Sequence, residues 1–151
     1  MSPTQQHNPL GAQRRKARHY AMQALYQWRM AGAALTVIEA EFRSEYDFAN
    51  VDLPFFQALL HEVPQCVDEL DSTLEPLLDR AIDDLDPIEH TLLRMGVFEL
   101  MHRIDVPYKV VINEAVALAK KFGATESHKY VNGVLDKAAR NLRKVEIEAA
   151  S

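Results

Sequence analysis

The sequence holds a single cysteine, Cys66, in 151 residues, so no internal disulfide can brace the fold, and this economy fits a reducing compartment. There is no Cys pair for zinc, and the six histidines show no H-x-x-x-H spacing. Cys66 and His61 lie five positions apart, which does not set them on one helical face to activate a thiol. The five glycines are scattered, so no Gly-rich phosphate loop exists, and no nucleophile elbow is present. Asp83, Asp84 and Asp86 read as a solvated acidic turn before a helix cap rather than a metal cluster. No apolar run approaches the roughly 18 to 20 residues of a membrane span, and the N-terminus lacks a charged-then-apolar signal pattern. These absences point to a cytoplasmic protein that is not an enzyme and needs no metal or cofactor.

What is present is helical. Hydrophobic residues make up 48 % of the chain and aromatics 8 %, a balance that suits helix packing better than an all-β domain. Ala17, Ala21, Ala24, Leu25 and Trp28 recur at helical spacing up to Gly32, with Arg14, Arg15 and Arg18 facing mainly outward near the helix start. A second helix is expected over 35–45, and a third begins at the Asp52 cap and is kinked or split by Pro64. Residues 74–85 are expected to form a short helical stretch. Asp86-Pro87-Ile88-Glu89 combines a cap, a first-turn proline and an acid that can reach back to the cap. It opens a helix apolar nearly all round, the expected buried centre of the fold. Val110 to Lys121 follows, with Gly123 as a left-handed stop, and Thr125 caps a last helix striped by Val131, Val134, Leu135, Ala138, Ala139 and Leu142. The expected fold class is all-α, a compact single-domain bundle of about seven helices over residues 12–144. Residues 1–11 are expected to form a flexible extension and 145–151 a flexible tail.

Net charge is −5, which by itself argues against nucleic acid, but the signs are segregated. Residues 1–30 carry five cations and no acid, residues 31–90 carry 15 acids against Arg43 and Arg80, and residues 109–144 carry eight cations against three acids. A basic field can therefore exist on an acidic protein. Arg14-Arg15-Lys16-x-Arg18 concentrates four cations near a helix start, where they oppose the helix dipole, as a site for an external anion would. A solvated basic face explains the run equally well. The segment from Lys120 to Tyr130 adds cations, a capping hydroxyl, unused backbone N–H groups at a helix start and aromatics. That mixture suits single-stranded RNA, with Phe122 read as closing the helix stop and Tyr130 as the more exposed ring.

At these residues the sequence resembles the NusB family of bacterial transcription antitermination factors. The resemblance is carried by Arg14-Arg15-Lys16-Ala17-Arg18 with Ala24-Leu25-Tyr26-Gln27-Trp28, and by Asp105-Val106-Pro107-Tyr108-Lys109-Val110-Val111-Ile112-Asn113-Glu114-Ala115. Lys120 to Gly123 and Ser127-His128-Lys129-Tyr130-Val131-Asn132-Gly133-Val134-Leu135-Asp136-Lys137 complete it, over roughly residues 12–142. It implies an all-helical, non-catalytic protein that binds the single-stranded boxA element of nascent RNA, notably from ribosomal RNA operons. It further implies a heterodimer with NusE, a small-subunit ribosomal protein, within an RNA polymerase antitermination complex with other Nus factors. By motif position the implied RNA contacts are Arg14, Arg15, Lys16 and Arg18 from the first segment. Lys121, Phe122, Glu126, Ser127, Lys129 and Tyr130 are those of the second, and the two segments are expected to make one RNA surface. Glu126 would accept hydrogen bonds from bases or restrain affinity. Glu89, Glu99 and Arg103, bordering the apolar central helix, are expected partner contacts for a basic ribosomal protein, or else its solvent side.

Two alternatives stand beside this reading. NusB-like domains also precede a catalytic domain in ribosomal RNA cytosine methyltransferases, although no methyl-donor site is expected in these 151 residues. A helical protein-binding scaffold with incidental basic ends is the other.

Overall fold

A computed structural model of the protein describes residues 9–150. Among these residues the chain is all-α, with eight α-helices and two short 3-10 turns. They group into two compact units, one ending at Glu62 and the other beginning at Val63.

The first unit holds α1 (Pro9–Ala31), α2 (Leu35–Glu45) and most of α3 (Leu53–Gln65). Residues 1–8 of the expected extension lie outside the described residues, but Pro9, Leu10 and Gly11 belong to α1, because proline is well placed at a helix start. The arginine run therefore lies past the first turn, and the dipole penalty expected for it has no basis, since that effect fades within one turn. Gly32, at φ 70°, ends α1 in the left-handed conformation that glycine adopts without strain, and its N–H donates to the Trp28 carbonyl at 2.8 Å. Ala17, Ala21, Ala24 and Leu25 are buried along α1, as are Ile38 and Phe42 on α2. The scarce aromatics are concentrated here: Tyr20 stacks on Tyr46 and Phe48 with centroids 5.0 and 5.1 Å apart, and Phe48 meets Phe56 edge-on. Asp52 caps α3 by accepting from the Phe55 N–H at 3.1 Å.

Pro64 splits the third helical run as its missing N–H requires: α3 ends at Gln65, Cys66 leaves helical geometry, and α4 (Val67–Leu74) begins. The stretch expected to be helical over 74–85 is instead a 3-10 turn at Glu75–Leu77 and another at Ile82–Asp84, joined by coil. Pro76 inside the first turn lacks the N–H that an α-helix would use, and Leu78 turns extended after it.

The second unit is organised around α5 (Pro87–His102). Asp86 caps it as expected, accepting from Ile88 and Glu89 N–H at 2.8 and 3.2 Å, and Leu92, Leu93, Met95, Val97, Phe98 and Leu100 are all buried. Three helices pack on it: α4, α6 (Tyr108–Phe122) and α7 (Ser127–Leu142). Gly96 lets α7 come close, because a Cβ there would lie 2.7 Å from the Leu135 methyls. Asp71 on α4 ties that helix to α5, accepting a bidentate pair from Arg94 at 2.7 and 3.0 Å and contacting His90 at 2.9 Å. Burial alone would raise the Asp71 carboxyl; the Arg94 and His90 hydrogen bonds outweigh it and bring its pKa to about 2.

The expected tail instead continues as α8 (Lys144–Ala150). Its entry is fixed by Arg143, 2 % exposed, which donates to the Leu100, Glu99 and Arg103 carbonyls at 2.8, 3.2 and 3.0 Å and to Glu146 at 2.6 Å. This guanidinium thus ties the end of α5 to α8, donating to Leu100 and adding a second donor to the Glu99 and Arg103 carbonyls, which also accept the Arg103 and Val106 N–H groups.

Candidate nucleic-acid interface

The arginine run lies on α1, where helical periodicity divides it. Arg15 and Lys16 are exposed. Arg14 is half-buried, with its Nε 3.3 Å from the Asp52 carboxylate and its guanidinium 4.7 Å from the Phe55 ring centre. Arg18 was expected to face outward, but it is only 4 % exposed, with its guanidinium 4.8 Å over the same ring. The reason is register. Arg14 and Arg18 are four residues apart and share the face of α1 that meets Phe55, whereas Arg15 and Lys16 point elsewhere.

The junction between α6 and α7 divides in the same way. Gly123 ends α6 in extended geometry (φ −93°, ψ 176°) rather than the expected left-handed one. A side chain is excluded there for another reason: a Cβ would lie 2.8 Å from the Ala119 carbonyl and 2.9 Å from Ser127 Cβ. The cap position of α7 falls to Glu126, not Thr125, and no side chain caps it. The N–H groups of Ser127, Lys129 and Tyr130, expected to be unused, donate to the carbonyls of Ala124 and Glu126. Lys121 is exposed and its Nζ lies 5.6 Å from the half-buried Phe122 ring. Lys129 and Glu126 are exposed and paired at 3.0 Å, so the acid directly competes for the cation. Ser127, expected as a contact, is buried, and its Oγ donates to Glu89 at 2.7 Å.

Tyr130 is half-buried rather than the exposed ring expected. The Arg80 guanidinium lies 4.2 Å over its centre, and Asp79 holds Arg80 in turn, its carboxylate oxygens 2.7 Å from Nε and 3.3 Å from Nη2. The Tyr130 hydroxyl is shielded from solvent, and no hydrogen bond of good geometry reaches it. Burial first, and then the adjacent Asp79 carboxylate, raises its pKa above the ordinary value. The Arg80 hydrogen bond holds Asp79 below its ordinary value. Sequence reading missed Arg80 because it lies fifty positions from Tyr130 and inside the acidic stretch, where charge counting hides it.

Of the expected partner contacts, Glu89 and Glu99 are buried rather than bordering the solvent side of α5. Glu89 does not reach back to its own cap, because its carboxylate accepts the Ser127 hydroxyl. Arg103 stays partly exposed and pairs with Asp105 at 3.1 Å. Cys66, Glu69 and His102 bring possible ligand atoms within 4.8 Å of one another, although Glu69 and His102 already pair at 2.9 Å. Among the described residues no helix is long and apolar enough to cross a membrane.

Exposed cations beside half-buried rings on an all-helical frame form a surface whose chemistry suits a polyanion. The NusB family model matches residues 15–140. The chain is 58 % identical to the transcription antitermination protein NusB of Hahella chejuensis, covering 91 % of this chain and 92 % of that one. It is 57 % identical to the NusB protein of Pseudomonas savastanoi pv. phaseolicola, over 91 % and 84 %. Among solved structures, T. maritima NusB superposes with a TM-score of 0.71 at 24 % identity, covering 83 % of this chain and 89 % of that one. A structure of antitermination factors NusB and NusE in complex with dsRNA gives a TM-score of 0.72 at 27 % identity, covering 84 % and 96 %. The chain belongs to the NusB family of transcription antitermination factors and is not an enzyme.

Proposed function

We propose that this protein acts in the bacterial cytoplasm by binding the single-stranded boxA element of nascent RNA, notably from ribosomal RNA operons. In this reading it binds as a heterodimer with NusE and joins an RNA polymerase antitermination complex with other Nus factors. The α6–α7 junction carries the proposal. Exposed Lys121 and Lys129 flank the Phe122 and Tyr130 rings, a combination that meets both phosphates and unpaired bases. Arg15 and Lys16 supply the second contact, as exposed charges on α1. Arg14, Arg18 and Ser127 serve by holding these neighbours in place. The similar structure containing NusE and dsRNA supports both partner classes, and the single-strand preference rests on the rings. For the protein partner, Arg103 is the partly exposed candidate, and Glu89 and Glu99 shape the surface from within.

Titration with boxA-like single strands, scrambled single strands and the matching duplex, with and without NusE, tests the proposal. The boxA-like strand should bind most tightly, and NusE should widen the margin. Equal, weak binding of all three at physiological salt would refute it.

A further inference from the structure

We propose that Arg80, on the coil between the two 3-10 turns, is a further RNA contact that forms one stacking platform with Tyr130, and that Asp79 is the internal anion RNA must displace. The inference rests on the RNA-binding reading above.

Three observations carry it. The Arg80 guanidinium covers one face of the Tyr130 ring at 4.2 Å, so the planar group presented beside that ring is an arginine plane. A guanidinium over an aromatic face leaves its edge donors free to meet an anion and can carry a base on its outer face. The Arg80 side chain retains 40 % of its exposure despite this contact, so the platform is reachable from solvent. Finally, Asp79 occupies the Arg80 donors through Nε and Nη2 while remaining 67 % exposed, which places a carboxylate where a phosphate would bind in the same bidentate manner.

Exchange of Asp79 for an RNA phosphate explains the assembly better than a purely structural ion pair. Two exposed neighbours in sequence gain little from pairing in water, whereas the same guanidinium between a base and a ring combines stacking with charge. The acid also makes occupancy selective: a strand that offers phosphate without a base to stack gains little by displacing it.

The test uses the full chain with NusE and boxA-like strands carrying 2-aminopurine at successive positions, whose fluorescence falls when the base stacks. Arg80→Ala should weaken binding about five- to tenfold, reduce the salt slope by about 0.7, and relieve quenching at one position. Arg80→Lys should keep the salt slope but still relieve quenching, since ammonium is not planar. Asp79→Asn should bind more tightly at low salt. Arg140→Ala, a distant exposed cation paired with Asp136, should change neither quenching nor affinity beyond about twofold. Melting curves of each variant report folding. If Lys129→Ala weakens binding while a folded Arg80→Ala keeps wild-type affinity, slope and quenching, the platform is wrong and the RNA reading stands. If neither variant changes binding, the RNA reading itself fails.

Discussion

The two basic segments have the same sign of charge, yet the fold treats each as a mixture. On α1, Arg18 is drawn inward over Phe55 while Arg15 and Lys16 stay in solvent. In the C-terminal segment, Arg143 is internalised on three carbonyls while Lys121 and Lys129 stay out. The difference lies in what accompanies the exposed cations. Those of α1 are adjacent charges on the surface of a regular helix. Those of the junction stand beside aromatics, an acid and a helix start. A cation count predicts affinity for phosphate; its neighbours decide whether sequence can be read.

The largest effect should come from removing an internalised cation. Arg143→Met removes the buried donors to Leu100, Glu99, Arg103 and Glu146, of which the last three keep a backbone N–H, and should cost about 2–4 kcal/mol in urea unfolding. A loss below about 1 kcal/mol would place Arg143 with the surface cations instead. Ser127→Ala strands the buried Glu89 carboxylate and should cost about 1–3 kcal/mol. It should also weaken RNA binding through a displaced α7 start; unchanged stability would return Ser127 to the contact list. Arg18→Met should cost about 1–2 kcal/mol, seen as a lower Tm, with no change in the RNA salt slope.

Asp71→Asn adds a pH dependence. The folded pKa of about 2 lies below the ordinary value of 3.8, so the stabilisation is complete above the latter and disappears as pH falls toward the former. The variant should be less stable by on the order of 1–2 kcal/mol at pH 7, discounted for partial exposure, and the gap should close between pH 4 and pH 2. A gap constant across that range would deny the role given to Arg94 and His90. Smallest in stability are Arg15→Ala and Lys129→Ala, within about 0.5 kcal/mol, because both side chains are exposed. Each should nevertheless flatten the salt dependence of RNA binding.

Much of the fold was legible because it is written locally. The Asp86 cap, the Gly32 stop, the break at Pro64 and the apolar circumference of α5 each need only a few residues to declare themselves. The 3-10 turns at 75–77 and 82–84 were not, since their leucines keep helical spacing while Pro76 removes the N–H that an α-helix needs. The site was legible as two segments but not residue by residue. Nothing near Arg18 reveals that Phe55 lies above it, and nothing near Ser127 or Glu89 reveals that they bond to one another across 38 positions. Arg80 was hidden for the same reason. Outward and inward cations differ by register and by distant partners, and neither is visible in a charge count.

The division of labour between the segments is tested most directly by one ratio: affinity for a boxA-like strand over affinity for its scramble, with NusE present. An Arg15→Ala/Lys16→Ala variant should weaken both and leave the ratio near the wild-type value. Tyr130→Ala should lower the ratio itself, with the larger loss on the boxA-like strand, about 1–3 kcal/mol for a stacked base. A Tyr130→Ala protein that keeps the wild-type ratio, or an α1 variant that lowers it, would contradict the account.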